Sequence, residues 1–333
     1  MEYAIGIDIG ASKSHLALFD TMGTLVDFGH WGPLNHEVLP GSFGQFHEEL
    51  EQFVTQVLSK KGLKLEQIVS SVFGIAGVDT KVQHGIVSQI IKEIGFKKFT
   101  LANDAFLGIP AGSPIGTGIC AINGSGCTLT GINSEGRMFQ IGGVGYISAD
   151  YGGGGMLGAK VISTVYSELF RKGGPTCMTP VLFEKLGLAS KYDFVEKIYE
   201  KIGNGSFAVS SCAKMLFDAA KKNDIVALDI LRDVGISYAD GISGMIEELQ
   251  FNQNASEDIY IVLAGSVFVK GDHPLMIDTV KEKLGKDNPD CDFKYTLLKV
   301  PPVAGAAFWA LNNLNIIDKK SYYDRVCAQL QNM

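Results

Sequence analysis

The sequence predicts an α/β protein made of two duplicated domains. Three observations carry this. The stretch IGIDIGASKSHLALFDTMGTLVDFG near the N-terminus returns in outline about 115 residues later as GICAINGSGCTLTGINSEGRMFQIG: apolar strand, turn of Gly and Ser, apolar strand, second turn with Gly, third strand. Each copy is followed by segments of helical periodicity. The length of 333 residues suits two domains of ~100–200 residues each.

The elements follow in order. AIGIDIG and SHLALFD are apolar strands joined through Gly10, Ala11 and Ser12, and GTLVDFGHWG completes an antiparallel meander. Residues 44–60 carry Phe46, Leu50, Phe53, Val57 and Leu58 at helical spacing. IVSSVFGIAG (68–77) reads as a buried strand, residues 80–94 as a helix with Val82, Ile86, Ile90 and Ile94 on its apolar face, and KKFTLAND (97–104) as a strand ending in an acid. The second meander spans 116–143, with helices near 156–171, 191–202, 207–222 and 224–250. IYIVLAGSVF (259–268) is a buried strand ending in Gly265-Ser266, FKYTLLKV (293–300) is another, and PPVAGAAFWALNNL (301–314) opens a helix with Pro at its head. Pro and Gly cluster in IPAGSPIGTG, so the domain boundary is expected near 110–116: residues 1–113 with about 310–333 form one domain and 114–309 the other.

Composition excludes several classes. Apolar content is 46%, charged content 20% and net charge -7, which suits a globular, ordered chain. Arginine occurs only at 137, 171, 232 and 325, and no basic stripe with interleaved aromatics marks a nucleic-acid partner. Met1-Glu2-Tyr3 opens without a cationic region ahead of an apolar run, and no apolar run approaches the ~18 residues of a membrane span. A cytoplasmic protein is expected. Cysteines at 120, 127, 177, 212, 291 and 327 show no CxxC spacing and read as reduced thiols; the histidines show neither HxxxH nor HxH spacing, so no transition-metal site is expected.

The turn after the first strand is the informative one. A dinucleotide fingerprint starting at Gly10 needs glycines at its third and sixth places, where Ser12 and His15 stand, and a helix behind them, where SHLALFD alternates like a strand; a Walker loop is absent. The remaining phosphate-binding form is a β-hairpin whose small residues let backbone N–H groups approach an anion. One such hairpin is usually an ordinary turn. Two, in equivalent places, suggest two lips on one polyphosphate.

With these motifs in place, the chain resembles the superfamily of sugar kinases, heat-shock ATPases and actin. The resemblance rests on Asp8-Ile9-Gly10-Ala11-Ser12-Lys13 as the first phosphate hairpin, LANDAFLG (101–108) as the first connecting segment, and Asn123-Gly124-Ser125-Gly126-Cys127 as the second hairpin. IVLAGSV (261–267) is similar to the adenosine strand and PPVAGAAFWAL (301–311) to the second connecting helix. All five come in family order. Within the superfamily the chain is most similar to the N-acetylglucosamine kinases, which group with activator ATPases of benzoyl-CoA reductase and 2-hydroxyacyl-CoA dehydratase. NDA (103–105), GSG (124–126) and GGVGYISADYGGGGMLG (142–158) carry that closer resemblance, which extends to bacterial N-acetylmuramate/N-acetylglucosamine kinases.

The resemblance implies actin/hexokinase-like (ribonuclease H-like) domains with mixed five-stranded sheets around an ATP cleft, and transfer of phosphate from ATP to the 6-hydroxyl of an N-acetylated amino sugar. It implies that Asp104 is the general base, that Asp8 stands in the Mg²⁺ shell, and that Gly10, Ala11, Ser12, Lys13, Gly124, Ser125, Gly126, Ser211, Gly265 and Ser266 bind ATP. It implies Asn35, Asp104, Gly145, Tyr146 and Asp150 at the sugar, and a homodimer. An unperturbed Asp104, with a pKa of ~3.9, would be ionised at neutral pH. The run Gly152–Gly155 reads as a flexible linker or as backbone that closes over the substrate. Ala76 and Val144 depart from the kinases, which carry Ser and, in vertebrates, Trp at these places. Two other activities stay open: a glucose or glucosamine kinase, and an ATP-driven activator with a shared iron–sulfur cluster, for which Cys127 and Cys177 are the pair to consider.

Overall fold

The computed structural model describes residues 1–251 and 258–333. Two five-stranded sheets of the same topology organise the chain. In the first, β1 (Tyr3–Ile9), β2 (Ser14–Asp20) and β3 (Leu25–Trp31) form the antiparallel meander, followed by α1 (Ser42–Lys60), β4 (Ile68–Ile75), α2 (Lys81–Ile94) and β5 (Thr100–Ala102). The strand order is β3-β2-β1-β4-β5, with β4 and β5 parallel to β1. A 3₁₀ turn, Asp104–Leu107, and the short α3 (Gly108–Gly112) lead to the second copy.

There the meander is β6 (Gly118–Asn123), β7 (Cys127–Ile132) and β8 (Met138–Gly142). Helices α4 (Gly154–Phe170), α5 (Met178–Leu186), α6 (Phe194–Gly203), α7 (Ala213–Ala220) and α8 (Ile225–Glu248) precede β9 (Ile259–Ala264). Then come α9 (Ser266–Lys270), α10 (Leu275–Asp287), β10 (Phe293–Leu297), α11 (Pro302–Asn312) and α12 (Lys319–Leu330). The order β10-β9-β6-β7-β8 repeats the first sheet strand for strand, with β9 and β10 parallel to β6. The duplicated domain expected from the repeat, and the two mixed five-stranded sheets that the resemblance implies, are therefore present.

Alternation along β1 decides what packs where. Ile5, Ile7 and Ile9 face α1 and α2, among Leu16, Phe46, Phe53 and Val87. The opposite face offers the small Ala4 to α11, and Asp8 belongs to that side of the strand. Helix α11 is apolar on every side, as a helix enclosed by protein must be; Val303, Ala306, Phe308 and Leu311 are all fully buried. It crosses the Asp104–Gly112 segment so closely that a Cβ on Gly305 would stand 2.0 Å from the Leu107 carbonyl oxygen. The second sheet puts Ile119, Leu129 and Ile261 against α4 to α10, and Cys120, Val262 and Ala264 against Phe106 and Ile109 of the connecting segment.

Local pattern and structure differ at α2. Val82 is 71% exposed and Ile86 also faces solvent, while Val87, Ile90 and Ile91 are buried. The core stripe of the helix is Val87, Ile90, Ile91 and the half-buried Ile94, at i, i+3, i+4 and i+7, which leaves Val82 in the capped first turn facing solvent. Helices α5, α10 and α12 are additional to the elements read from the sequence. Among the described residues no helix is long and apolar enough to cross a membrane.

Candidate active site

The ends of the parallel strands carry the polar groups, as is usual in α/β folds. In the first hairpin Asp8 pairs across the ladder with His15, whose Nδ1 lies 3.8 Å from Asp8 Oδ2. The turn is closed by Gly10 N–H donating to the Lys13 carbonyl at 3.1 Å, leaving Ala11, Ser12 and Lys13 exposed.

Asp104 follows the end of β5. Asn103 caps its turn: Oδ1 accepts from Ala105 N–H at 2.9 Å, while Nδ2 donates to Asp79 Oδ1 at 2.9 Å. Thr130 of β7 donates its hydroxyl to the Ala105 carbonyl at 3.1 Å, so the turn also rests on the second sheet. Burial pushes the Asp104 carboxyl up to about 7, helped by the negative charges of Asp8 and Asp79. This lies above the ordinary carboxylate value, because the half-buried turn is flanked by both sheets and faces two other acids.

Asn35 is 5% exposed, and its Oδ1 accepts from Glu37 N–H at 2.8 Å. A Cβ on Gly77 would lie 2.9 Å from that oxygen, which places Asn35 beside the loop leaving β4. Neither Asp79 nor Glu37 stood out in the sequence. Each is a lone acid in a loop, and only the tertiary contacts bring the Glu37 carboxylate to Gln83 and the Asp79 carboxylate to Asn103.

The second hairpin closes with Gly124 N–H donating to the Gly126 carbonyl at 3.0 Å. Gly265, at φ +90°, lies against it: a Cβ there would stand 2.4 Å from the Asn123 carbonyl oxygen. The glycine run is part of the same packing. Gly154 N–H donates to the Gly124 carbonyl at 2.7 Å, and a Cβ on Gly153 would meet the Ser125 carbonyl at 2.5 Å. Gly152 and Gly153 are buried, so this run is a contact surface for the hairpin rather than a linker. At the head of α4, a Cβ on Gly154 would lie 3.8 Å from the Ser210 Cβ. Ser211 is exposed, and its carbonyl accepts from Lys185 Nζ. Ser210, not singled out by the motif, faces the hairpin side.

Asp150 is held by its own loop. Its Oδ2 accepts from Gly143 N–H at 2.9 Å, Gly145 N–H at 2.7 Å and Ser148 Oγ at 2.6 Å. With Ser148, Cys127 and Tyr238 it lines a cavity of about 200 Å³. Tyr146 and Val144 project outward, 75% and 65% exposed. Cys127 is buried beneath the second hairpin, where its sulfur accepts from Gly153 N–H, whereas Cys177 stands at the head of α5, its N–H donating to Asp224.

Comparison with known proteins bears on the family and the fold. The chain is 27% identical over 268 residues to an N-acetylmuramic acid/N-acetylglucosamine kinase of Clostridium acetobutylicum, covering 80% of this chain and 86% of that one. It is 23% identical over 320 residues to an N-acetyl-D-glucosamine kinase of Dictyostelium discoideum, covering 94% and 98%. The fold superposes on a proposed N-acetylglucosamine kinase from Chromobacterium violaceum with a TM-score of 0.58 at 16% identity, covering 93% of this chain and 99% of that one. Residues 5–310, which include both hairpins and both connecting segments, match a single family model: the chain belongs to the BadF/BadG/BcrA/BcrD ATPase family.

Proposed function

We propose that the protein is an ATP-dependent kinase that phosphorylates the 6-hydroxyl of an N-acetylated amino sugar, N-acetylglucosamine first and N-acetylmuramate as a second substrate. The observation that carries this reading is the Asp104 turn. A carboxyl raised to about 7 stands at the end of β5, across β4 from the Asp8 strand, and a base matched to neutral pH suits proton removal from a hydroxyl. The names of the two curated relatives support the substrate class.

In this reading the two hairpins hold the polyphosphate through backbone N–H groups and the Ser12 and Ser125 hydroxyls, and Gly265, Ser266 and the Ser210–Ser211 turn adjoin the nucleoside. Asn35 orients the sugar, and a carboxylate oxygen of Asp104 takes the proton of its 6-hydroxyl. Asp8 fits Mg²⁺, which takes one or two carboxylates with phosphate and water ligands: its strand-end carboxyl keeps some exposure, and among the described residues no group of three or more His, Cys, Asp or Glu forms a closed cage. Bound there, Mg²⁺ neutralises phosphate charge.

The test is ADP release in a coupled assay across glucose, glucosamine, N-acetylglucosamine and N-acetylmuramate. Turnover only with the last two supports the reading; turnover only with glucose or glucosamine replaces it. In this reading the exposed Val144, small where vertebrate kinases carry Trp, faces the bound sugar only at the mouth of the site and offers space there to the 3-lactyl ether of N-acetylmuramate. Val144→Trp should therefore lower kcat/KM for N-acetylmuramate more than for N-acetylglucosamine. An unchanged ratio would remove Val144 from the pocket wall.

Two substitutions separate the sugar-facing loops. Asn35→Ala should raise the sugar KM with little effect on the KM for ATP, because a polar partner in a partly dry site is lost. Asp150→Ala should do the same and also free the Gly143–Ser148 loop, read as faster amide exchange there. A sugar KM unchanged in both variants would place the sugar elsewhere.

The domain division is proposed at residues 110–116, with residues from about 310 returning to the first domain. The two connecting segments cross at Gly305 and Leu107, a tight contact suited to hinge or shear motion. Closure expels water that would otherwise hydrolyse ATP. Small-angle scattering should show compaction at saturating sugar, and an unchanged profile would argue against closure.

A further inference from the structure

We propose that Asp79 is a positioning residue for Asp104, acting through the Asn103 side chain. The proposal rests on the reading of Asp104 as the base and concerns how that base is held.

Asp79 lies in the loop leaving β4, one residue before the Thr80 cap of α2. Both ends of the Asn103 amide are engaged: Nδ2 donates to Asp79 Oδ1 and Oδ1 accepts from Ala105 N–H, each at 2.9 Å. The Asp104 backbone lies between those two anchors. Asn103 is 8% exposed, so water is poorly placed to substitute for a lost partner. Asp79 is anchored in turn. Its N–H donates to Gln83 Oε1 at 3.2 Å, Gln83 Nε2 donates to Glu37 Oε1 at 3.1 Å, and Glu37 N–H donates to Asn35 Oδ1 at 2.8 Å.

A continuous hydrogen-bonded path therefore runs from the Asn35 turn, through the first turn of α2, to the Asp104 turn. It sets the distance between the loop that would orient the sugar and the carboxylate that would take its proton. Misplacing a reacting group by about 1 Å costs on the order of 10²-fold in rate, which is the scale such a path protects. The charge of Asp79 also bears on the Asp104 carboxyl, together with that of Asp8 on β1. Assays at pH 8 and the isosteric amide separate charge from hydrogen bond.

The experiment uses the full chain with the best sugar of the substrate screen at pH 8. Asp79→Ala and Asn103→Ala should each lower kcat about 10-fold or more, with the KM for ATP changed by less than about twofold because the phosphate hairpins are untouched. The double variant should be no slower than either single one, since both break one path. Asp79→Asn keeps an acceptor for Nδ2 and should stay within about threefold of wild type. Additive losses, or Asp79→Asn as slow as Asp79→Ala, overturn the proposal. If Asn103→Ala fails to fold, the contrast between Asp79→Ala and Asp79→Asn decides alone, since Asp79 is exposed. An Asp104→Asn enzyme with normal turnover would sink the base reading by itself; an inactive one beside a normal Asp79→Ala would sink only the positioning role.

Discussion

Asp104→Asn is expected to lower kcat by ~10²–10⁴-fold, the usual cost of losing a general base, while ATP and sugar still bind. The amide matches the carboxyl in size and leaves the Asn103 capping bonds of the turn in place. The same variant should be more stable than wild type above neutral pH. Folded, the nucleotide-free carboxyl titrates at about 7; unfolded it returns to ~3.9. The folded pKa is the raised one, so the stabilising share is full below ~4 and is lost as pH rises to about 7, at ~1.4 kcal/mol per pH unit. Ionised Asp104 thus costs the fold on the order of 2–4 kcal/mol at pH 8. The melting temperature of Asp104→Asn should exceed that of wild type by an amount that grows from pH 5 to 7 and then levels off. Turnover within a few fold of wild type would remove Asp104 from proton transfer. Equal melting at pH 8 would mean that the carboxyl is solvated and its pKa ordinary.

Gly265→Ala is expected to damage the nucleotide half of the site alone. The φ of +90° disfavours any side chain, and the new Cβ would sit 2.4 Å from the Asn123 carbonyl oxygen and 2.8 Å from Gly124 N. Both are backbone atoms of the second hairpin, so the clash cannot be relieved by a rotamer change. Either the hairpin or the head of α9 must move. Strain of this kind costs on the order of 1–3 kcal/mol, and the displaced hairpin should raise the KM for ATP ~10-fold or more, by the ~1.4 kcal/mol that corresponds to a factor of ten. The sugar dissociation constant, measured calorimetrically without nucleotide, should stay near wild type. A changed sugar affinity with an unchanged KM for ATP would reverse the assignment of the two halves.

The features legible in the sequence are those that local pattern determines. Strand alternation around Gly10 and around Gly124–Gly126 shows both hairpins, and their repetition shows the duplicated sheet, because backbone pairing across a tight turn depends on residues a few positions apart. Asp104 was visible for the same reason, as an acid ending an apolar strand. What the tertiary structure alone decided lies where distant segments meet. The raised pKa of Asp104 comes from burial between two sheets and from Asp8, almost a hundred positions away. The Asn35–Glu37–Gln83–Asp79–Asn103 path joins three loops that share no motif. The glycine run 152–155 reads as a linker in sequence, yet Gly152 and Gly153 are packed against Cys127 and Ser125 of the second hairpin, where a side chain would have no room. In each case the deciding energy is a contact between segments far apart in the chain, and a periodicity of two or 3.6 residues carries no information about such a contact.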